Sequence, residues 1–281
     1  MINRRQLLAA SAGALTLEAR KLKTIGVQLY TLRSVIEPQA KLILSQVQEA
    51  GYAEVEAVRG NLAKIWDELK TTKLKPVSLH IDTPYFTTQS DKLAPALDDA
   101  RAKGFRYAVC PYIAPQDRGG VEVIKKLADT LNKAGEKCKA SGMTLAYHNH
   151  AFEFEPVPGG GKTLLDVLME STDPKLVALE MDIMWVAVGG VDPVDLLRKY
   201  KGRVPLMHVK DLAAGVKPQY NEKIPRDAFK EAGAGSLKLP QILKTAMDTG
   251  VKHFFVEQDQ TPGDPMASLK QSMAYLKTLN V

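Results

Sequence analysis

Leu145-Ala146-Tyr147-His148-Asn149-His150-Ala151-Phe152-Glu153-Phe154 is the stretch of this chain that decides its fold. It joins a short apolar run, predicted to be a strand, to two histidines that stand two positions apart. Because alternate side chains of a strand point to the same face, His148 and His150 leave the strand end together or nearly so. Polar clusters also follow the next three apolar runs, at residues 180–182, 208–211 and 257–259. Residue types that bind metals therefore recur at successive strand ends.

The rest of the sequence alternates between strand-like and helix-like segments from residue 24 onward. The predicted strands cover residues 24–29, 53–58, 76–81, 106–110, 143–148, 176–181, 204–209 and 253–257. The predicted helices cover residues 40–50, 62–70, 90–103, 121–140, 163–169, 193–200, 239–248 and 265–279. Alternating strands and helices imply a parallel sheet, because each parallel crossover needs a helix. Eight such units in about 250 residues predict an α/β fold, a (β/α)8 TIM barrel that forms a single domain over residues 24–281.

A doubly wound open sheet is the alternative architecture. That fold favours a glycine-rich turn for phosphate after the first strand. The turn instead reads Gln28-Leu29-Tyr30-Thr31-Leu32, which contains no glycine. The barrel is therefore the preferred fold.

Composition and charge narrow the classes of function. The 281 residues are 45% hydrophobic and 25% charged, as in ordinary globular proteins. The net charge of +6 is spread over predicted helix surfaces without a basic and aromatic ribbon, so we expect no nucleic-acid partner. Cys110 and Cys138 lack the spacing of a metal or redox site and are predicted to be unpaired thiols. No segment is suited to span a membrane, and the sequence is compatible with a homo-oligomer.

Residues 1–23 resemble a targeting segment. A charged start, Met1-Ile2-Asn3-Arg4-Arg5, precedes a weakly apolar run over residues 9–17. This pattern predicts a twin-arginine signal and export to the periplasm. The cleavage site at Leu17-Glu18-Ala19 is poor, so a frayed N-terminal helix on a cytoplasmic protein is the alternative.

One connection is much longer than the others. Residues 211–235 join the seventh strand to its helix, whereas connections of about two to six residues are usual. At the carboxyl face of a barrel, loops of this length are commonly lids or specificity elements. A lid is the preferred interpretation, and a mobile surface insertion is the alternative.

Residues at the carboxyl ends of barrel strands converge on one site. Four of the five histidines hold such positions, which is hard to explain by core packing alone. The candidate site consists of Gln28, Tyr30, Glu56, His80, Tyr112, His148, His150, Asp182, His208, Lys210 and Glu257. The fifth histidine, His253, begins the eighth strand at the opposite end and is interpreted as structural.

Imidazoles mixed with carboxylates favour Mn²⁺, Co²⁺, Zn²⁺ or Fe²⁺, whereas an all-oxygen set would favour Mg²⁺, which stays possible here. The candidate ligands from strands five to eight are His148, Asp182, His208 and Glu257. The alternatives are a helix-start acid for Asp182 and a surface ion pair for Glu257. His150 or Glu153 could replace His148, because the spacing does not choose among them.

Six motifs follow one another along the chain. They are Gly26-Val27-Gln28-Leu29-Tyr30, Gly51-Tyr52-Ala53-Glu54-Val55-Glu56, Tyr147-His148-Asn149-His150 with Glu153-Phe154, Asp182 with Trp185 and Gly189, His208-Val209-Lys210-Asp211, and Glu257-Gln258-Asp259. In this order they resemble the sugar phosphate isomerase/epimerase family of xylose isomerase-like TIM barrels. That family includes ketose 3-epimerases and inosose dehydratases, and the resemblance runs from about residue 24 to the end.

The resemblance implies one divalent ion held by a Glu-Asp-His-Glu set, with Asp182, His208 and Glu257 in the last three places. His148 stands where a glutamate is expected. In the epimerases that glutamate and the last one exchange the proton, so a symmetrical two-base epimerisation is not implied. Trp185 likewise stands where many relatives have a histidine. The His-Asn-His variant is closer to the inosose dehydratase branch.

The function implied is a metal-dependent sugar isomerase or epimerase that acts through an enediolate on a ketose or keto-sugar. Glu257 or His150 is the candidate base, and Lys210 is the candidate donor to the developing oxyanion. The candidate contacts to the sugar are Gln28, Tyr30, His80, Tyr112, Asn149 and Trp185.

Two alternatives accompany this expectation. A dehydratase or lyase would eliminate a β-substituent from a keto-sugar or keto-glycoside through the same enediolate, and a non-catalytic barrel would only bind the sugar. The endonuclease branch of the superfold, which uses three zinc ions, needs more ligands than these strand ends offer. No phosphate cradle follows the seventh or eighth strand, so a free sugar or glycoside is expected.

Overall fold

Eight parallel strands close into a barrel, because the first strand pairs with the second on one side and with the last on the other. The computed structural model describes residues 21–281. Residues 1–20, which carry most of the predicted export signal, lie outside the described residues. The closed barrel confirms the predicted (β/α)8 fold.

The barrel strands are short and lie close to their predicted positions. They are β1 Gly26–Gln28, β2 Glu54–Val58, β3 Lys75–His80, β4 Tyr107–Cys110, β5 Thr144–His148, β6 Val177–Asp182, β7 Leu206–Val209 and β10 His253–Val256. Two further strands, β8 Asp211–Leu212 and β9 Phe229–Lys230, form an antiparallel ribbon outside the barrel. The ribbon lies within the long connection and was not predicted.

Helices follow the barrel strands as the apolar periodicity predicts. They are α1 Ala40–Ala50, α2 Arg59–Leu69, α4 Leu93–Ala102, α5 Val121–Ala140, α6 Leu164–Ser171, α8 Pro193–Lys199, α9 Leu239–Thr249 and α10 Pro265–Thr278. Two short helices at strand ends were not predicted, α3 Thr83–Phe86 and α7 Ile183–Val188. Within residues 21–281, no helix combines the length and apolar character that crossing a bilayer requires.

The amino-terminal half of the barrel interior is filled by apolar side chains. Val77, Val109, Ala146, Leu206 and Phe255 form a buried cluster there. The Phe255 ring fits because its neighbour on β1 is Gly26, where a Cβ atom would overlap the ring. This apolar layer separates the polar side chains at the carboxyl end of the barrel from the Glu54–His253 pair at the amino-terminal end.

The long connection is anchored by one carboxylate. Asp211 is buried, and its two oxygens accept four backbone N–H groups at 2.9 to 3.1 Å, from Leu212, Gly233, Gly235 and Leu237. Phe229, at the far end of the connection, packs against Trp185 of α7 with ring centroids 5.9 Å apart. The segment is thus tied down at both ends, while its predicted function as a lid stays a prediction.

We predict that Asp211→Ala loosens this connection. Four backbone donors lose their acceptor, which we expect to lower the free energy of unfolding by about 3 kcal/mol or more. Urea unfolding and limited proteolysis within residues 211–237 measure the effect. Asp227→Ala, at an exposed position of the same connection, is the matched control. Equal protease resistance of the two variants would contradict the anchoring role.

Candidate metal centre and active site

The carboxyl ends of the barrel strands open into a cavity of about 420 Å³. Seven of the predicted site residues line it, namely Tyr30, His80, Tyr112, His148, His150, Trp185 and Glu257. Asp182, His208 and Lys210 are buried directly against these residues. The structure therefore brings the residues from strands five to eight together, as strand-end convergence predicts.

A buried histidine cluster surrounds Glu180, which was not among the predicted site residues. Glu180 Oε2 lies 2.9 Å from His80 Nε2, 3.1 Å from His148 Nδ1 and 3.4 Å from His208 Nε2. Glu180 stands two residues before Asp182 on β6, so both point into the barrel. That spacing is a signal by which sequence reasoning could have found it.

Glu56 of β2 flanks the same cluster. Its Oε1 accepts a hydrogen bond from Gln28 Nε2 at 2.8 Å and lies 3.0 Å from His80 Nε2 and 2.5 Å from His208 Nε2. Gln28 is fully buried and does not line the cavity. Gln28 thus holds Glu56 in place, and its predicted contact with the sugar stays a prediction.

Asp182 uses its two carboxylate oxygens differently. Oδ1 accepts the backbone N–H groups of Met184 at 2.9 Å and Trp185 at 3.0 Å, which begins helix α7 as a helix-start acid would. Oδ2 faces the histidines and lies 3.9 Å from both His148 Nε2 and His208 Nδ1. Asn149 is fully buried and bonds the Asp182 backbone, so it supports this residue rather than lining the cavity.

The ammonium group of Lys210 forms ion pairs with three carboxylates. Its Nζ lies 2.8 Å from Asp182 Oδ2, 2.7 Å from Glu257 Oε2 and 2.6 Å from Asp259 Oδ2. Glu257 Oε2 also lies 2.8 Å from His208 Nδ1, so Glu257 belongs to the buried cluster and not to a surface ion pair. Asp259 was not predicted, although it stands two residues after Glu257.

Burial and mutual repulsion set the charges of the carboxylates. Burial, together with the neighbouring Glu56, raises the pKa of Glu180 well above its usual value. Burial also acts to raise the pKa of Glu56, but His80 and His208 outweigh it and hold that pKa well below its usual value. The pKa of Glu257 is likewise lowered, because Lys210 and His208 outweigh burial. The pKa of Asp259 is raised by burial, which Lys210 offsets only in part.

The histidines divide into two charge classes. Burial opposes the charged form of His208, yet Glu180, Glu257 and Glu56 raise its pKa well above the usual value. The pKa values of His148 and His150 are lowered well below the usual value, chiefly by burial, and next by His208 and Lys210 respectively. His148 and His150 are therefore neutral at neutral pH, and each offers a ring nitrogen lone pair to a cation or a proton.

The donor set fits a divalent cation. Within residues 21–281, two buried groups offer ligand atoms that lie within 4.8 Å of one another, His80 with His148, Glu180 and His208, and Asp182 with His208 and Glu257. Two buried carboxylate oxygens, Glu56 Oε2 and Glu180 Oε1, receive no hydrogen bond from the described residues, and Asp182 Oδ2 is paired with the Lys210 ammonium. Leaving such oxygens unpaired is costly, whereas a cation would use them.

Aromatic rings form the wall of the cavity above these charges. The His150 ring stacks on Trp185 at 5.6 Å and meets Tyr112 edge-on at 4.9 Å. Tyr30 stands at the rim beneath the Arg33 guanidinium, 4.2 Å from its ring centroid. Flat apolar faces beside polar groups suit a sugar ring, whose C–H and O–H groups face different sides.

Glu153, an alternative first ligand, is engaged elsewhere. Its Oε1 accepts the Tyr147 hydroxyl at 2.7 Å, and its Oε2 accepts the His150 backbone N–H at 2.9 Å. Burial raises the pKa of Glu153 to about 8. Both oxygens are occupied in fixing the turn after β5, so Glu153 positions His150 instead of facing the candidate ligands.

The amino-acid sequence matches one family model and several curated proteins. A family model described as "Xylose isomerase-like TIM barrel" matches residues 44–279. An inosose dehydratase of Geobacillus kaustophilus is 29% identical over 165 residues, which cover 55% of this chain and 52% of that protein. The chain thus spans about half the length of this curated relative.

Solved structures show the same fold. A sugar phosphate isomerase/epimerase from Parabacteroides distasonis superposes with a TM-score of 0.78 at 23% identity, covering 92% of this chain and 98% of that one. The IOLI protein with a bound zinc atom superposes with a TM-score of 0.70 at 14% identity, covering 90% and 97%. At these identities the likeness shows the barrel architecture alone.

We predict that Glu153→Gln changes how stability depends on pH. The pKa of this carboxyl is about 8 in the folded protein and about 4.3 in an unfolded chain, so the folded state holds the proton between these values. Stability of the wild type therefore falls as the pH rises from about 4.3 to 8, by about 1.4 kcal/mol for each unit of pKa difference. Glutamine does not titrate, so the stability of Glu153→Gln should not show this decrease with pH.

Urea unfolding at pH 5 and at pH 8 measures the difference. Glu155→Gln, two residues further on at an exposed position, is the matched control and should keep the wild-type pH dependence. Parallel curves for the wild type and Glu153→Gln would contradict the buried, protonated state of Glu153.

Proposed function

The chain belongs to the xylose isomerase-like TIM barrel family, and from this membership we propose that it is a divalent-metal-dependent enzyme that isomerises or epimerises a ketose or another keto-sugar. One observation carries the proposal. Carboxylates and imidazoles from different strands converge beneath a cavity of about 420 Å³ with aromatic walls. Abstraction of a proton beside a carbonyl needs a base, a cation and a hydrogen-bond donor within reach of one another, and this cluster contains candidates for each.

Asp182, His208 and Glu257 would hold the ion, with His148 as the fourth ligand. The first three offer ligand atoms within 4.8 Å of one another, and the lowered pKa of His148 keeps its imidazole neutral. When bound, the ion supplies a Lewis acid that stabilises negative charge developing on a carbonyl oxygen. With Asp182 and Glu257 engaged by an ion, Asp259 would keep the Lys210 ammonium paired.

His150 is the base that the contacts favour. It lines the cavity, its pKa is lowered well below the usual value, and its Nδ1 has no hydrogen-bond partner among the described residues. In this proposal the imidazole removes the proton from the carbon next to the carbonyl, and the C–H electron pair moves toward the carbonyl oxygen to give an enediolate. Glu257 is the alternative base, but its Oε2 already contacts Lys210 and His208.

Lys210 is the donor to the oxygen that becomes negative. Its pKa is raised well above the usual value, because Asp182, Asp259 and Glu257 outweigh burial. The ammonium is therefore charged at neutral pH, and the donors that Asp182 and Glu257 would give up on binding an ion would be available to the enediolate oxygen.

The fate of the enediolate defines the reaction. Return of the proton to the adjacent carbon gives an isomer, and return to the opposite face gives an epimer. Departure of a β-hydroxyl or glycosidic oxygen with its bonding electrons gives an elimination. Elimination is the second candidate, because the chain is similar in sequence to inosose dehydratases over half its length.

A neutral substrate suits the charges around the cavity. Four carboxylates line it, Asp82, Glu222, Glu257 and Asp259. Arg33 also lines the cavity, but its guanidinium is bound to the backbone oxygens of Tyr30 and Asp259. These carboxylates already pair with the nearby cations, Asp82 with Arg59, Glu222 with Arg118, and Glu257 and Asp259 with Lys210. Each of these cations is thus engaged and not held ready for a phosphate group, so we propose a free sugar, a keto-sugar or a keto-glycoside as substrate.

We predict that the protein exchanges the hydrogen next to the carbonyl of a ketose or keto-glycoside with solvent deuterium when Mn²⁺ is added. Glu257→Gln should slow this exchange at least about 100-fold, because it removes both a ligand and a candidate base. Nuclear magnetic resonance of the sugar over a panel of ketoses and keto-glycosides measures the rate.

Glu54→Gln is the matched control for this test. Glu54 pairs with His253 at 2.8 Å near the amino-terminal end of the barrel, away from the cavity. This variant should retain the wild-type rate. Absence of exchange with every sugar, combined with tight sugar binding, would replace the enzyme by a non-catalytic sugar-binding barrel.

We also predict that activity at saturating metal persists into acid. The base form of His150 is the neutral imidazole, and its lowered pKa keeps that form populated below the ordinary histidine value of about 6.5. The acid limb of kcat against pH should therefore lie below pH 6.5, and His150→Asn should reduce kcat by about 100-fold or more. An acid limb near 6.5 or above would argue against a buried neutral His150.

A further inference from the structure

We propose that the barrel binds a second divalent transition-metal ion, deeper than the first, between His80, Glu180 and Glu56, while His148 donates its Nδ1–H to Glu180 and keeps its Nε2 lone pair for the upper ion. Imidazole and carboxylate ligands together favour Zn²⁺, Co²⁺ or Fe²⁺ over Mg²⁺. This proposal is separate from the assignment of Asp182, His208 and Glu257, because His80, Glu180 and Glu56 take no part in that set.

The hydrogen-bond pattern around Glu180 is unbalanced in the absence of an ion. Three imidazole nitrogens, from His80, His148 and His208, crowd within 3.4 Å of the single oxygen Oε2. A carboxylate oxygen has only two lone pairs to offer. The other oxygen of Glu180 and Oε2 of Glu56 meanwhile receive no hydrogen bond from the described residues, although both side chains are fully buried.

A bound ion would resolve both features. It would accept the lone pair of His80 Nε2, which leaves only His148 and His208 as donors near Glu180 Oε2, and it would use Glu180 Oε1 and Glu56 Oε2, the carboxylate oxygens that lack partners. Ligand atoms about 2.0 to 2.2 Å from one ion are separated from each other by about 2.9 to 3.5 Å, depending on the coordination angle. The observed separations, 2.9 Å from His80 Nε2 to Glu180 Oε2 and 3.0 Å to Glu56 Oε1, place both carboxyl groups beside His80 at this spacing, and each group also carries the oxygen without a partner.

The two carboxylates of this deeper group also lack a fixed positive charge. Among the described residues, Glu56 and Glu180 form ion pairs only with histidines. Asp182 and Glu257, by contrast, share the Lys210 ammonium. Two adjacent buried carboxylates repel each other, and no lysine or arginine is paired with either of these. A divalent cation bound between them would offset that repulsion.

An ion can reach this group from the cavity. His80 and His148 both line the cavity, whereas the opposite end of the barrel is filled by the apolar layer that includes Phe255 and Leu206. His148 lies between the two sites, because its Nδ1 faces Glu180 and its Nε2 faces Asp182. His208 Nε2 can donate to Glu56, which leaves its Nδ1 free for the upper ion.

The test is the number of ions bound per chain. Full-length protein is stripped with a chelator, loaded with Co²⁺ or Zn²⁺, freed of excess metal and analysed by elemental analysis and calorimetry. We expect two ions in the wild type and one in each of His80→Gln, Glu180→Gln and Asp182→Asn. His253→Gln, a histidine substitution outside both groups, is the control and should bind two. Circular dichroism confirms that each variant is folded.

Each alternative result overturns the proposal in a distinguishable way. One ion in the wild type is sufficient to overturn it, whether or not the variants fold. If Asp182→Asn loses that ion and His80→Gln keeps it, only the upper site of the proposed function exists. If His80→Gln loses it and Asp182→Asn keeps it, the ligand set of the proposed function is wrong as well. Two ions retained in both His80→Gln and Glu180→Gln would locate the second ion elsewhere.

Discussion

The burial of several carboxylates around one point is the constraint on which the rest of this protein depends. A carboxylate loses much solvation free energy when it leaves water, and like charges at close range add to that cost. The barrel compensates with one lysine, a set of imidazoles and backbone donors. Burying these carboxylates lowers the stability of the folded protein, but it also prepares a binding site for cations. The buried carboxylates are Glu56, Glu180, Asp182 and Glu257, and Asp259 lies half-buried at the edge of the cavity.

Barrel closure makes this concentration of charge possible. Every strand contributes alternate side chains to one interior, so residues far apart in sequence meet without any long connection between them. The apolar layer below excludes water from one side, and the aromatic wall shields the other. The electrostatic interactions inside are therefore strong, and their effect on the charge states of His148 and His208 is opposite because their neighbours differ.

The sequence predicts the barrel well, because few other folds are compatible with eight successive pairs of a strand and a helix. It also predicts which strands supply the site, since His148, Asp182, His208 and Glu257 end four consecutive strands. The sequence does not readily identify Glu180 or Asp259 as site residues. An acidic residue near a strand end is equally typical of a helix cap or of the protein surface. Helix α7 escaped prediction because its six residues are all apolar and show no alternation of apolar and polar positions at helical spacing.

The double engagement of Asp182 has a consequence for observing this protein. One of its oxygens bonds the first amides of α7, including that of Trp185, and the other faces the buried cluster. A change in the cation beside that second oxygen is transmitted to the indole through a single side chain and one turn of helix. We therefore expect the fluorescence of Trp185 to change when a cation binds beside that oxygen, including ions such as Zn²⁺ that have no visible absorption.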